Sequence, residues 1–157
     1  MRCQRPWRGR VGRALLGLLI LLPLEALPAD NVPPAQGPGL GEYMTTNQLH
    51  HAKLWFAGQR RHWALAKYEL GELEETLEAI TAAIPVFKGR PVAALIATHT
   101  HKPIDALGAA IDGHDPTRFR QAFDALTDAC NACHRETAQD FIEFQRPRLP
   151  PVTNQRL

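Results

Sequence analysis

Several features that would classify the 157-residue chain directly are missing. No stretch alternates apolar and polar residues as a half-buried strand would, which points away from sheet architectures. The longest apolar run, Ala14 to Leu22, is too short for a membrane span of about 20 residues. There are three cysteines, and only Cys130 and Cys133 lie close together, so no second pair exists to complete a tetrahedral zinc site. No internal repeat is visible, and the N-terminal arginines include no adjacent pair, so the twin-arginine export route is not indicated.

What is present begins with those arginines. Arg2, Arg5, Arg8, Arg10 and Arg13 precede the run ending at Leu22, and Pro23 follows. This is the form of a secretory signal over residues 1–29, cleaved near Ala29, which predicts a periplasmic protein; retention of the segment as a membrane anchor is the competing reading. Residues 1–29 carry five arginines and one glutamate, so without them the formal charge moves from +2 to −2. The remaining chain has no polybasic stripe, which argues against nucleic acid as a partner. Cys3 leaves with the signal, and Cys130 and Cys133 stay in an oxidising compartment.

Residues 30–41 are rich in Pro and Gly and read as a linker. A first helix is predicted over residues 42–61, with Met44, Gln48, His51, Trp55, Gly58 and His62 in one narrow stripe. A second spans 64–87, with Leu65, Tyr68, Leu73, Leu77, Ile80 and Ile84 apolar and Glu72, Glu74, Glu75 and Glu78 on a solvated face. Pro91 suits the first position of a third helix carrying Leu95, Ile96, Ile104, Leu107 and Ile111, which Pro103 should kink or split. The fourth opens on an Asp115 cap with Pro116 in its first turn. Its inner stripe runs through Phe119, Phe123, Leu126, Cys130, Cys133, Thr137, Phe141 and Phe144 to a stop at Arg146-Pro147. The predicted fold is therefore all-α, an antiparallel four-helix bundle over residues 42–146, with a tail at 147–157.

Residues 130–134 read Cys-Asn-Ala-Cys-His, the spacing of c-type haem attachment. Two sulfurs three residues apart share a helix face, where thioethers to the two vinyl groups at one porphyrin edge can form. His134 can then serve as proximal iron ligand. Three other readings compete. A zinc site is disfavoured because adjacent Cys133 and His134 sit awkwardly on one tetrahedral ion. A thioredoxin-like pair expects a βαβ setting and a helix start, and an accidental match leaves a structural thiol pair. Compartment, register and spacing favour one covalent haem c on the last helix of the bundle.

With these residues in view, the sequence resembles the class II c-type cytochromes, the cytochrome c′ group. More narrowly, Met44, Gln48, the run His51 to Gly58, Tyr68-Glu69-Leu70, Phe141-Ile142 and Asn154-Gln155 resemble a proteobacterial cytochrome c family of unassigned role. The likeness covers about residues 41–157. It implies haem on the last helix and a distal face toward the first. Some members leave the sixth iron position empty and bind small gases, whereas others fill it with a methionine near the start of the first helix.

Met44 falls about where that methionine would be, and His51, on the same stripe, is the rival distal ligand. The plainer readings are a core methionine and a buried histidine bonded to a neighbour or a haem propionate. His99 and His101, flanking Thr100 before Pro103, are expected at a solvated bend, with a surface metal pair as the competing reading. His50, His62 and His114 are read as structural or surface groups, and Trp55, Trp63 and Phe56 as packing. The leading expectation is a periplasmic monohaem carrier of one electron, with redox partner proteins the sequence does not name. The alternative is a haem-based binder or sensor of nitric oxide or carbon monoxide. No acid or base is positioned to suggest an enzyme. The resemblance alone also raises a homodimer through the first two helices.

Overall fold

The computed structural model describes residues 37–157; the signal segment 1–29 and most of the linker lie outside them. Four helices follow in order: α1 Leu40–Gln59, α2 Trp63–Ala83, α3 Val92–Asp112 and α4 Pro116–Glu136. They pack antiparallel, up and down, as short connections between amphipathic helices require. No strand forms among the described residues beyond a single bridge between Phe87 and Arg90. None of the described helices is long and apolar enough to cross a membrane.

The core is continuous along the bundle. Leu54, Leu73, Ile80, Leu107, Phe119, Phe123 and Leu126 are fully buried, supplied by all four helices. The α1–α2 and α3–α4 pairs are the most extensive, whereas α1 and α4 meet at few positions. One of those is Gly58, where a β-carbon would stand 2.1 Å from Phe119 Cζ. Glycine is required there because the Phe119 ring occupies the space.

The helix limits follow from local chemistry. Asp115 Oδ1 accepts from the backbone amides of Thr117 and Arg118 at 2.9 and 3.0 Å, and Pro116 follows the cap, as expected from the sequence. α1 begins two residues earlier than predicted, with Glu42 Oε2 accepting from the Gly39 amide at 2.9 Å. Pro91 is the cap of α3 and Val92 its first residue.

Three expectations about the helices need correction. The second helix ends at Ala83, not 87: Pro85 has no amide to donate and restricts Ile84 before it. α3 is not split at Pro103, since Thr100, Ile104 and Leu107 are buried on either side and keep both turns against the core. His99 and His101 therefore lie within a helix and not at a bend.

The third correction matters most for the site. α4 stops at Glu136, ten residues before Arg146. Ala138 adopts φ +58°, the Gln139 amide donates to His134 O at 2.8 Å and the Ala138 amide to Arg135 O at 3.2 Å, which closes the helix by a left-handed turn. Phe141 is consequently 77% exposed, while Phe144 returns to the core from an irregular segment.

Candidate functional site

At the end of the bundle where α1 begins and α4 finishes, a cavity of about 220 Å³ is walled by Leu40, Met44 and Gln48 from α1 and Cys133 and His134 from α4. Val92 and the returning residues Ile142 and Phe144 are also among its walls. A smaller cleft of about 20 Å³ adjoins it and adds Cys130, Asn47, Ile96 and Thr100. Met44, Cys133, His134 and Phe144 line both spaces. The three motif residues and Met44 are thus brought together, and His51 borders neither space.

The helix register explains the motif side. Residues 130, 133, 134 and 137 recur at three and four along α4 and turn to one face, and all four are buried. Burial raises the Cys130 thiol to about 12, with the neighbouring Cys133 adding to it, and burial likewise raises Cys133 to about 11. A reactive dithiol needs the opposite shift, toward thiolate at neutral pH, so this setting is wrong for disulfide exchange.

His134 is oriented from outside the helix. Its Nδ1 lies 2.8 Å from the backbone oxygen of Ile142, which can only accept, so Nδ1 carries the proton and donates. Nε2 is left with its lone pair, on a side chain that lines both spaces. The Phe144 ring stands edge-on to the imidazole at 5.3 Å.

His51 is engaged differently. Thr127 Oγ1 donates to Phe123 O at 2.9 Å, so it must accept from His51 Nε2–H at 3.0 Å. With Phe123 and Phe144 rings 4.5 and 5.1 Å away, burial lowers His51 to about 4. It is a neutral, hydrogen-bonded core histidine, and its Nε2 is committed to Thr127.

Sequence reasoning passed over three polar residues near these elements. Asn131, a variable position inside the motif, donates Nδ2–H to Phe144 O at 2.9 Å and accepts from the Phe144 amide at 2.7 Å. Asn47 is buried with Oδ1 unpartnered, against the small cleft beside Cys130. Only its three-residue spacing from Met44 could have flagged it. Glu69 is fully buried on α2 and accepts from His50 Nδ1 at 2.8 Å. Lys53 Nζ sits 2.5 Å from its other oxygen, outside hydrogen-bond direction, as an ion pair. The His50 ring is thereby tied between α1 and α2. Elsewhere, His99 Nε2 meets Glu136 at 2.8 Å, Trp63 stacks on His114 at 5.6 Å, and His62 and His101 are exposed.

The donor set can be tested against a bare metal and against a haem. Among the described residues no three His, Cys, Asp or Glu side chains converge to hold an ion. Two thiols and an imidazole along one helix face suit a ring gripped at its edge and at its centre. The unpartnered Asn47 oxygen marks a polar atom, at the cleft lined by Met44 and Cys130, that no described residue satisfies. The enclosed volume falls below the roughly 300–1,000 Å³ of cofactor pockets. Seating a macrocycle would therefore displace side chains along the α1–α4 seam, where the helices touch least.

No protein-family model matches the chain, and neither a curated protein nor a solved structure is significantly similar to it. The fold and site define an all-α, four-helix domain with a Cys-Asn-Ala-Cys-His segment on its last helix whose two cysteines and histidine are buried.

Proposed function

We propose that the chain is an exported monohaem c-type cytochrome of the class II kind, carrying one electron in the periplasm. The observation that carries this reading is the placement of His134: its Nδ1 lies 2.8 Å from the Ile142 carbonyl oxygen, which can only accept, so Nε2 is the nitrogen left for a metal, beside two cysteines on the same helix face. An iron-ligating histidine needs this arrangement, with one nitrogen free and the other fixed by a backbone acceptor.

In this reading Cys130 and Cys133 hold the ring edge covalently and His134 binds the iron. When bound, haem supplies an iron that alternates between iron(III) and iron(II). The chain's contribution is to bind, orient and shield. Phe144 fixes the His134 plane, and Ile96, Val92 and Phe144 keep water from the site. Met44 is the proposed sixth ligand, because it lines both spaces with His134. His51 is the weaker choice, since ligation through Nε2 would break its bond to Thr127.

Expressed in full with haem-maturation machinery, the protein should carry one covalent haem per chain. Replacing either cysteine by Ala should leave a single thioether, and replacing both should abolish attachment. A colourless wild-type chain with two free thiols would overturn the proposal. Met44→Leu should shift the absorption bands of a low-spin haem toward high spin, and an unchanged spectrum would remove Met44 from the iron.

One observation favours a second reading, a binder of small gases. Asn47 lies beside Met44 with its Oδ1 unpartnered, and with the carboxamide turned over its Nδ2–H2 would be the donor that an iron-bound diatomic molecule would use. Rapid carbon monoxide uptake by the reduced protein would favour this reading, and bands unmoved by the gas would favour electron transfer.

A further inference from the structure

The segment after α4 doubles back along the helix it has just left and is fastened to it at three places. His134 donates to Ile142 O, Asn131 both donates to and accepts from Phe144, and Arg146 Nε donates to Asp124 Oδ1 at 2.6 Å. The second fastening differs from the other two in kind. A carboxamide that pairs with both the N–H and the C=O of one residue imitates a strand partner and fixes that residue's rotation as well as its distance. Phe144 is also buried, with its ring edge-on to His134, so the paired residue cannot slide.

The geometry points to Asn131 as a positioning residue for the proximal ligand: by clasping the Phe144 backbone it holds the Ile142 carbonyl where it accepts the His134 Nδ1 proton. This rests on the haem reading of the site. Asn131 lines neither of the two spaces beside His134. Its influence passes through the two-residue span from Phe144 to Ile142, which among the described residues has, apart from the clasp and the His134 bond itself, no side-chain hydrogen bond to α4 before Arg146. Gln139 accepts from the Ile142 amide at 2.9 Å, but that bond lies within the segment and does not bind it to the helix.

A held acceptor on Nδ1–H makes the imidazole a stronger donor to iron, which favours the oxidised metal. Loosening the acceptor therefore makes the midpoint potential more positive. A residue that only stabilised the fold would lower the melting temperature and leave the potential where it was.

The experiment compares full-length wild type, Asn131→Ala, Asn131→Gln and Gln145→Ala. The last is a neutral, exposed change on the same segment that leaves both fastenings near His134 intact. Each protein is first weighed for attached haem, then measured for midpoint potential and for hydrogen exchange at the Phe144 amide. In Asn131→Ala the Phe144 amide should exchange about tenfold faster, the effect of one hydrogen bond of ordinary net strength. The potential should move to more positive values with haem still attached. Asn131→Gln, which keeps a donor and an acceptor, should recover part of both effects, and Gln145→Ala should change neither.

A haem-loaded Asn131→Ala with the wild-type potential would overturn the inference. Loss of haem in both Asn131 variants, from a wild type that carries it, would also overturn it, because the clasp acts on His134 and not on the cysteines. A wild type without haem would instead sink the haem reading. In that case Phe144 exchange in the same chains still decides whether the clasp exists.

Discussion

Two buried histidines facing aromatic rings, His134 and His51, differ in what their second nitrogen does. His134 gives its Nδ1 proton to a carbonyl and keeps an open Nε2, whereas His51 gives its Nε2 proton to a threonine hydroxyl already donating elsewhere. The difference has a consequence in acid. His51 is held at about 4 by burial, against 6.5 when solvated, so between those values the unfolded chain takes up a proton that the folded chain refuses. Its share of stability is therefore full above pH 6.5 and declines as the pH falls toward 4, by roughly 3 kcal/mol at about 1.4 kcal/mol per unit. Urea unfolding at pH 7 and pH 4.5 should show this loss in the wild type and a smaller one in His51→Gln; equal losses would refute the assignment. At Gly58 the same scale gives a steric test. Gly58→Ala would place a methyl 2.1 Å from a fully buried ring, and should cost about 3 kcal/mol, the upper end of overpacking penalties, read as a lower midpoint in urea. At this scale the motif residues and Met44 were legible because spacing alone puts them on helix faces. Asn131 and Asn47 were not, because their roles depend on a backbone return and on a cleft that no local pattern encodes.

Among the elements, three helices share one kind of ending. Arg61, His114 and Ala138 follow α1, α3 and α4 with φ near +55°, and each next residue's amide reaches back to a carbonyl of the last turn. Glycine is the usual occupant of that position, and here it is absent from all three. Where it is needed, at Gly89 with φ +76° in the two-residue turn between Phe87 and Arg90, it is present. Ala138→Gly should relieve a left-handed strain of about 1–2 kcal/mol, partly offset by greater freedom when unfolded. The expected net gain is about 0.5–1 kcal/mol, seen as a higher melting temperature; a lower one would contradict the strain. The missing glycines also account for the misplaced end of α4. Apolar spacing continues through Phe141 and Phe144 as though the helix did, and only the backbone reversal at Ala138 separates a buried Phe144 from an exposed Phe141. Starts were easier to read: Asp115-Pro116 announces itself by chemistry that acts within one turn.

Taken as a whole, the molecule closes tightly on three of its four helix pairs and loosely on the fourth. The fold class was legible because four amphipathic segments with short connections leave few ways to bury their stripes. The α1–α4 seam was not, since it depends on Gly58 admitting Phe119 at one end while a cavity remains at the other. In the function proposed above, the macrocycle would lie in that seam, held by Cys130, Cys133 and His134. That function is tested most directly by the intact mass of the full chain matured in a host able to attach haem c. The predicted result is one added porphyrin per polypeptide, lost when Cys130 and Cys133 are both replaced by Ala. A polypeptide of unmodified mass carrying two alkylatable thiols would contradict it.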